Sequence, residues 1–144
     1  MKTIAIVRGY HVLKGAKLTK MEDADKFKVI EAMRELRPIT EKYEADEKEA
    51  VEKLKDDKFK DMEAKADKYR QAGDKGKALT ETELAEVNAY YETFNKTVGE
   101  CLAPIKDKEV KLKFGKITKE AFGKFLESND LKLEQIMQLD ELLR

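Results

Sequence analysis

Residues 21 to 104 constrain the fold most: two long amphipathic runs, dense in Glu and Lys, are separated only by Gly73-Asp74-Lys75-Gly76. Apolar residues recurring every three or four positions mark one face of a helix, and paired glycines supply the backbone freedom of a turn. The pattern predicts a long antiparallel helical hairpin. In the first run Phe27, Ile30, Met33 and Leu36 carry the inner face, and Ile39, Tyr43, Ala50, Val51, Leu54, Phe59, Met62, Ala66 and Tyr69 extend it. Between them Pro38 removes a backbone donor, so the helix is expected to kink or restart there. In the return run Leu84, Val87, Tyr91, Phe94, Val98, Cys101 and Ile105 alternate by three and four, with a stop expected at Pro104. Thr19-Lys20-Met21-Glu22 and Thr80-Glu81-Thr82-Glu83 fit capping boxes, in which hydroxyl and carboxylate satisfy free amides at a helix start.

At about 1.5 Å per residue, an arm from Pro38 to Ala72 spans roughly 50 Å and a return from Thr80 to Ala103 roughly 36 Å. The arms do not match. Either the first breaks again near Asp56-Asp57, or its far end, with Phe59, Met62 and Tyr69, packs on another chain. The second reading is favoured and makes those three residues candidates for contact with a partner or a second copy.

The flanks read differently. Thr3-Ile4-Ala5-Ile6-Val7 is a β-branched run interrupted at Gly9, which predicts a strand with an irregular exit through Tyr10-His11-Val12-Leu13 to Gly15. Val110-Lys111-Leu112-Lys113-Phe114 alternates with period two and predicts a second strand. Neither strand can stand alone, so the two are expected to pair. Thr118 is placed to cap a short helix carrying Ala121, Phe122, Phe125 and Leu126, and a last amphipathic stretch from Leu131 carries Ile136, Met137, Leu139 and Leu143. The expected fold is mainly α: a long antiparallel hairpin (20–104) with a small two-stranded β element and short C-terminal helices. One domain spans 1–144, with a strand segment at 1–18 and a closing segment at 105–144.

The 144 residues include 30 basic and 30 acidic groups. The balance is uneven along the chain: residues 1–20 carry five basic groups and no acid, residues 21–104 come to −6, residues 105–125 to +4 and residues 126–144 to −3. No run of about 18 apolar residues is present for export or membrane insertion, and a soluble cytoplasmic protein, with virion association open, is expected. The lone Cys101 cannot form an internal disulfide.

No catalytic, cofactor or metal site is expected. His11 is the only histidine, so a catalytic triad or a histidine-based metal cluster cannot be assembled. Cys101 sits at a seam position that wants a small apolar residue. Glu44, Asp46, Glu47, Glu49 and Glu52 lie among lysines, as on a solvated helix. Gly73-Asp74-Lys75-Gly76 lacks the spacing of a phosphate loop. Lys106, Lys108, Lys111, Lys113, Lys116, Lys119 and Lys124 surround Phe114, and lysine patches can release counterions on nucleic acid. The patch lacks arginine, the usual reader of base edges, which argues against nucleic acid as the partner and leaves Lys111, Lys113 and Lys116 as candidate contacts for a protein.

Leu18-Thr19 leading to Lys26-Phe27, then Leu36-Arg37-Pro38-Ile39 before a charged hairpin, and Phe114, Ile117, Phe122, Leu126, Asn129 and Leu131 in the closing segment, together resemble a group of small helical-hairpin proteins encoded by phages and prophages. The resemblance implies a phage origin and a role in virion assembly or in takeover of the host, and it transfers no catalytic residue. The expected function is therefore non-enzymatic: protein–protein interaction as a structural, assembly or adaptor component, with homo-oligomerisation expected. Inhibition of a host antiviral defence protein and accessory nucleic-acid binding are the alternatives; neither membrane nor small-molecule substrate is expected.

Overall fold

The computed structural model describes residues 1–72 and 81–144, so the turn expected at Gly73-Asp74-Lys75-Gly76 and the Thr80 end of the second capping box lie outside the described residues. Among those described are six helices: α1 (Thr3–Lys14), α2 (Asp23–Leu54), α3 (Asp57–Ala72), α4 (Glu81–Lys106), α5 (Lys119–Glu127) and α6 (Leu133–Leu143). None is long and apolar enough to cross a membrane. The mainly α expectation holds. The chain divides into two compact units, one formed by Met1–Ala45 with Pro104–Arg144, the other by Asp46–Ala103.

The first unit holds the larger core, in which Ile6 and Leu13 of α1, Val29, Ala32 and Leu36 of α2, Phe122 and Phe125 of α5, and Leu139, Leu142 and Leu143 of α6 are buried together. The expected N-terminal strand is instead α1, a correction with a packing cause. Coiled as a helix, residues 3–14 place Ile6, Gly9 and Leu13 at three- and four-residue spacing on one buried face. Gly9 lies so close to α6 that a Cβ there would stand 2.6 Å from Leu142 Cδ2. Tertiary burial thus overrides the β preference of Ile4, Ile6 and Val7.

No strand forms among the described residues, and the expected two-stranded element is reduced to an isolated antiparallel bridge between Lys2 and Glu109. The two segments touch only at their near ends: the Thr3 amide donates to the Lys108 carbonyl at 2.9 Å and the Val110 amide to the Met1 carbonyl at 2.9 Å. Beyond the bridge the 107–118 segment spends its hydrogen bonds on helices. The Lys113 amide donates to Glu35 Oε1 at 2.7 Å, the Ile117 amide to the Leu143 carbonyl at 2.8 Å, and Lys116 Nζ to the Leu142 carbonyl at 2.6 Å. The last two satisfy carbonyls at the end of α6 that have no partner within the helix.

Helix boundaries follow local chemistry. Thr118 caps α5 as expected, its hydroxyl accepting from the Ala121 amide at 3.1 Å. Thr19 does not cap α2: its hydroxyl lies 3.2 Å from Ser128 Oγ, and the Lys26 amide bonds the Glu22 carbonyl, so the helix starts three residues later than near residue 20. Asn129 ties the α1–α2 connection to the end of α5: its amide accepts from the Lys17 N–H at 2.7 Å and donates to the Lys17 and Phe125 carbonyls at 2.8 and 2.7 Å. Neither proline breaks its helix. α2 runs through Pro38 and α4 through Pro104 to Lys106. Both prolines are exposed, as are Arg34 and Glu100, whose carbonyls lose the missing donor; solvent can satisfy them, which the sequence reading did not allow for.

The second unit settles the arm-length mismatch by an internal break, not by the favoured partner. α2 ends at Leu54 and α3 begins at Asp57, with Asp56 as the cap: its carboxylate accepts from the Phe59 amide at 2.8 Å and its carbonyl from the Lys60 amide at 3.2 Å. α3 and the first half of α4 then pack antiparallel, Phe59 meeting Tyr91 and Phe94 while Lys65 pairs with Glu86. The two apolar stripes of the predicted hairpin therefore face each other along Phe59, Met62 and Ala66 on one side and Val87 and Tyr91 on the other.

Two substitutions test the packing of the first unit. Thr40 is fully buried and its hydroxyl has no hydrogen-bond partner among the described residues, a loss of hydration costing about 1–3 kcal/mol. Thr40→Val keeps the shape and removes that cost, so it is expected to stabilise the protein by about 1 kcal/mol and raise the thermal midpoint by roughly 3 °C; a lowered midpoint in calorimetry would contradict this. Gly9→Val forces atoms onto Leu142 and is expected to destabilise by about 2 kcal/mol in urea unfolding, while the same change at the exposed Gly15, which meets nothing within 4 Å, serves as the control.

Candidate interaction groove

α2 carries two apolar stripes, and the first unit has one core. The stripe that goes inward is Val29, Ala32, Leu36, Thr40 and Tyr43. Ala32 and Thr40 are small, so neighbouring elements can approach the helix closely there. Of the stripe expected to face inward, Phe27 and Ile30 are turned aside, Met33 packs partly buried against the core, and Leu36 and Tyr43 belong to both stripes. Phe27 is 64% exposed and Ile30 38% exposed.

That rotation produces a groove of about 280 Å³. Tyr10, Leu13, Ala16 and Leu18 line it from α1 and the turn that follows; Val29, Ile30 and Met33 line it from α2, with Arg34 and Arg37 continuing along the same helix. The lining holds no acid. Arg37 Nε donates to Glu41 Oε1 at 2.8 Å, and this bond, with the charge of Glu41 and a smaller contribution from Tyr10, holds the guanidinium above its usual range. Arg34 has no ion pair among the described residues. An apolar trough with cations at one end suits an apolar side chain carried next to a carboxylate.

Other candidates from the sequence are accounted for elsewhere. His11 lies on α1, not at a strand exit, and its Nε2 is 2.7 Å from Glu44 Oε1 on α2. A second hollow of about 420 Å³ near His11, Lys17 and Gln135 contains Asn129, whose amide is already engaged in the clasp described above. Cys101 is exposed, contrary to its expected place in the seam; Leu102, 2% exposed, takes the buried position. Among the described residues no group of His, Cys, Asp or Glu is placed to hold a metal ion.

The expected partner contacts separate. Phe59 and Met62 are buried within the second unit, against Tyr90, Tyr91, Phe94 and Val87, so the surface expected of them is already covered from inside the chain. Tyr69 is 46% exposed. Lys111 is exposed, Lys113 contributes its backbone to Glu35, and Lys116 is held by the Leu142 carbonyl with its ammonium 5.2 Å from the Phe114 ring centroid. Lys124 pairs with Glu22 at 3.1 Å. The sequence does not show the groove because it predicts an irregular strand exit at Tyr10 and Leu13; the signal for a helix there is Ile6, Gly9 and Leu13 at helical spacing.

No family model, no curated protein and no solved structure matches the chain.

The aromatic cluster of the second unit gives a titration signature. Tyr90 donates its hydroxyl to Asp56 at 3.3 Å, and loss of hydration first, then the Asp56 carboxylate, raise its pKa above the ordinary 10.0. The fold favours the neutral phenol, so this contribution to stability is complete below pH 10.0 and is lost as pH rises through the raised value. In an ultraviolet titration a tyrosine step above the ordinary range is expected to disappear in Tyr90→Phe and to move to lower pH in Asp56→Asn; a tyrosine titration unchanged by both would refute the assignment.

Proposed function

We propose that this protein works without chemistry of its own, by binding another protein through the α1–α2 groove, as a structural, assembly or adaptor component. The observation that carries the reading is the juxtaposition of an open apolar trough with the exposed side chains of Phe27 and Ile30 and the unpaired Arg34. Large apolar side chains gathered beside a groove gain nothing from folding where they stand, and they gain on contact with a partner that removes them from water. The resemblance to small phage and prophage proteins supports virion assembly, or takeover of a host component, as the setting for that contact.

A photo-crosslinking residue placed at Ile30 in the full-length chain, with the exposed Glu63 of α3 as the comparison position, tests the reading in cells that produce the protein in its native setting. Covalent adducts of defined mass are expected from Ile30 and not from Glu63. Absence of any protein adduct from Ile30 and from Phe27 would remove the groove from consideration, and the identity of the adduct tells assembly from host takeover.

A further inference from the structure

The first unit presents a second exposed apolar pair that the groove does not include. On α6, Leu133 is 72% and Met137 64% exposed. They stand one turn apart on the outer side of a helix whose inner side, Leu139, Leu142 and Leu143, fills the core. Exposed Glu134 and Glu141 flank the pair on that outer side, and residues 126–144 as a whole come to −3. The groove has the opposite character: Arg34, with no ion pair among the described residues, and Arg37, already paired with Glu41, lie in its lining, no acid does, and residues 1–20, which include α1 and most of the connection to α2, carry five basic groups and no acid. One surface is a ridge of two apolar side chains beside acids. The other is an apolar trough beside arginines.

We infer that the occupant of the groove is a second copy of this chain, whose α6 sets Leu133 and Met137 against Ile30 and Met33 and brings Glu134 and Glu141 toward Arg34 and Arg37. Complementary charge favours this occupant over a basic partner and sets the orientation, while the apolar contacts supply most of the affinity. Because one copy carries both surfaces, two copies can exchange them reciprocally, which is the self-complementarity that a two-fold dimer needs. A self-binding groove is one case of the protein contact proposed above and rests on it.

Sedimentation equilibrium of the purified full chain over a wide concentration range tests the assignment. The expected result is a mass that rises from monomer to dimer with concentration, with association weakened by added salt. Ile30→Glu and Met137→Lys, both at exposed positions with the helical circular dichroism as a check on folding, are each expected to raise the dissociation constant at least about tenfold. Arg34→Glu with Arg37→Glu is expected to weaken association, as is Glu134→Arg with Glu141→Arg, and combining all four is expected to restore it. A chain that stays monomeric at every concentration, a dimer indifferent to Ile30→Glu and Met137→Lys, or a four-fold variant no better than either pair overturns the proposal. A strict monomer that still yields crosslinks to a different protein from Ile30 leaves the groove reading standing and removes only the second copy; a strict monomer without crosslinks removes both.

Discussion

The constraint on which the first unit depends is that α2 has two faces able to pack and only one core to enter. The face that enters carries Val29, Ala32, Leu36, Thr40 and Tyr43, of which Ala32, Leu36 and Thr40 are fully buried. Val29, Ala32 and Leu36 then meet Ile6, Phe125 and Leu139, and the larger residues of the helix are displaced to the rim. An interaction surface arises here as the remainder of a packing decision. The same economy runs through α1, where Gly9 lets Leu142 sit nearly against the helix backbone.

Much of the architecture was legible residue by residue, and the failures have identifiable causes. Thr118 announced α5 because its capping chemistry is local and complete within four residues. The seam of α3 and α4 was legible because apolar periodicity over many turns needs no knowledge of the rest of the fold. α1 was not, because the short run Thr3-Ile4-Ala5-Ile6-Val7, with four β-branched residues, looks alike as strand or buried helix until a partner is known; its partner, α6, lies more than a hundred residues away. Pro38 and Pro104 misled for the opposite reason: their local rule is sound, but its force depends on whether the freed carbonyl faces water.

The candidate groove was less legible than the fold. Each of its residues was visible as apolar or cationic, yet a groove is a relation between two helices, and one of them had been read as strand. Of the stripe the sequence predicts to face inward, Phe27 and Ile30 stand exposed, whereas Met33 packs partly on the core. The break at Asp56 shows the reverse case: Asp56-Asp57 marked a possible interruption, and the carboxylate that caps α3 also receives the Tyr90 hydroxyl, so one side chain both ends the long arm and joins it to the return helix. That internal closure is why Phe59 and Met62 need no second molecule.

The first unit is assembled from residues 1–45 and 104–144, a discontinuity with a consequence for biosynthesis. On the ribosome, α1 and the first half of α2 emerge long before α5 and α6, and their apolar faces must wait through translation of the whole intervening segment. Closing so long a loop costs chain entropy before any native contact is gained, whereas the contacts of α3 with α4 are short in sequence and can form as soon as both have left the exit tunnel. The nascent chain is thus expected to acquire its middle before its ends.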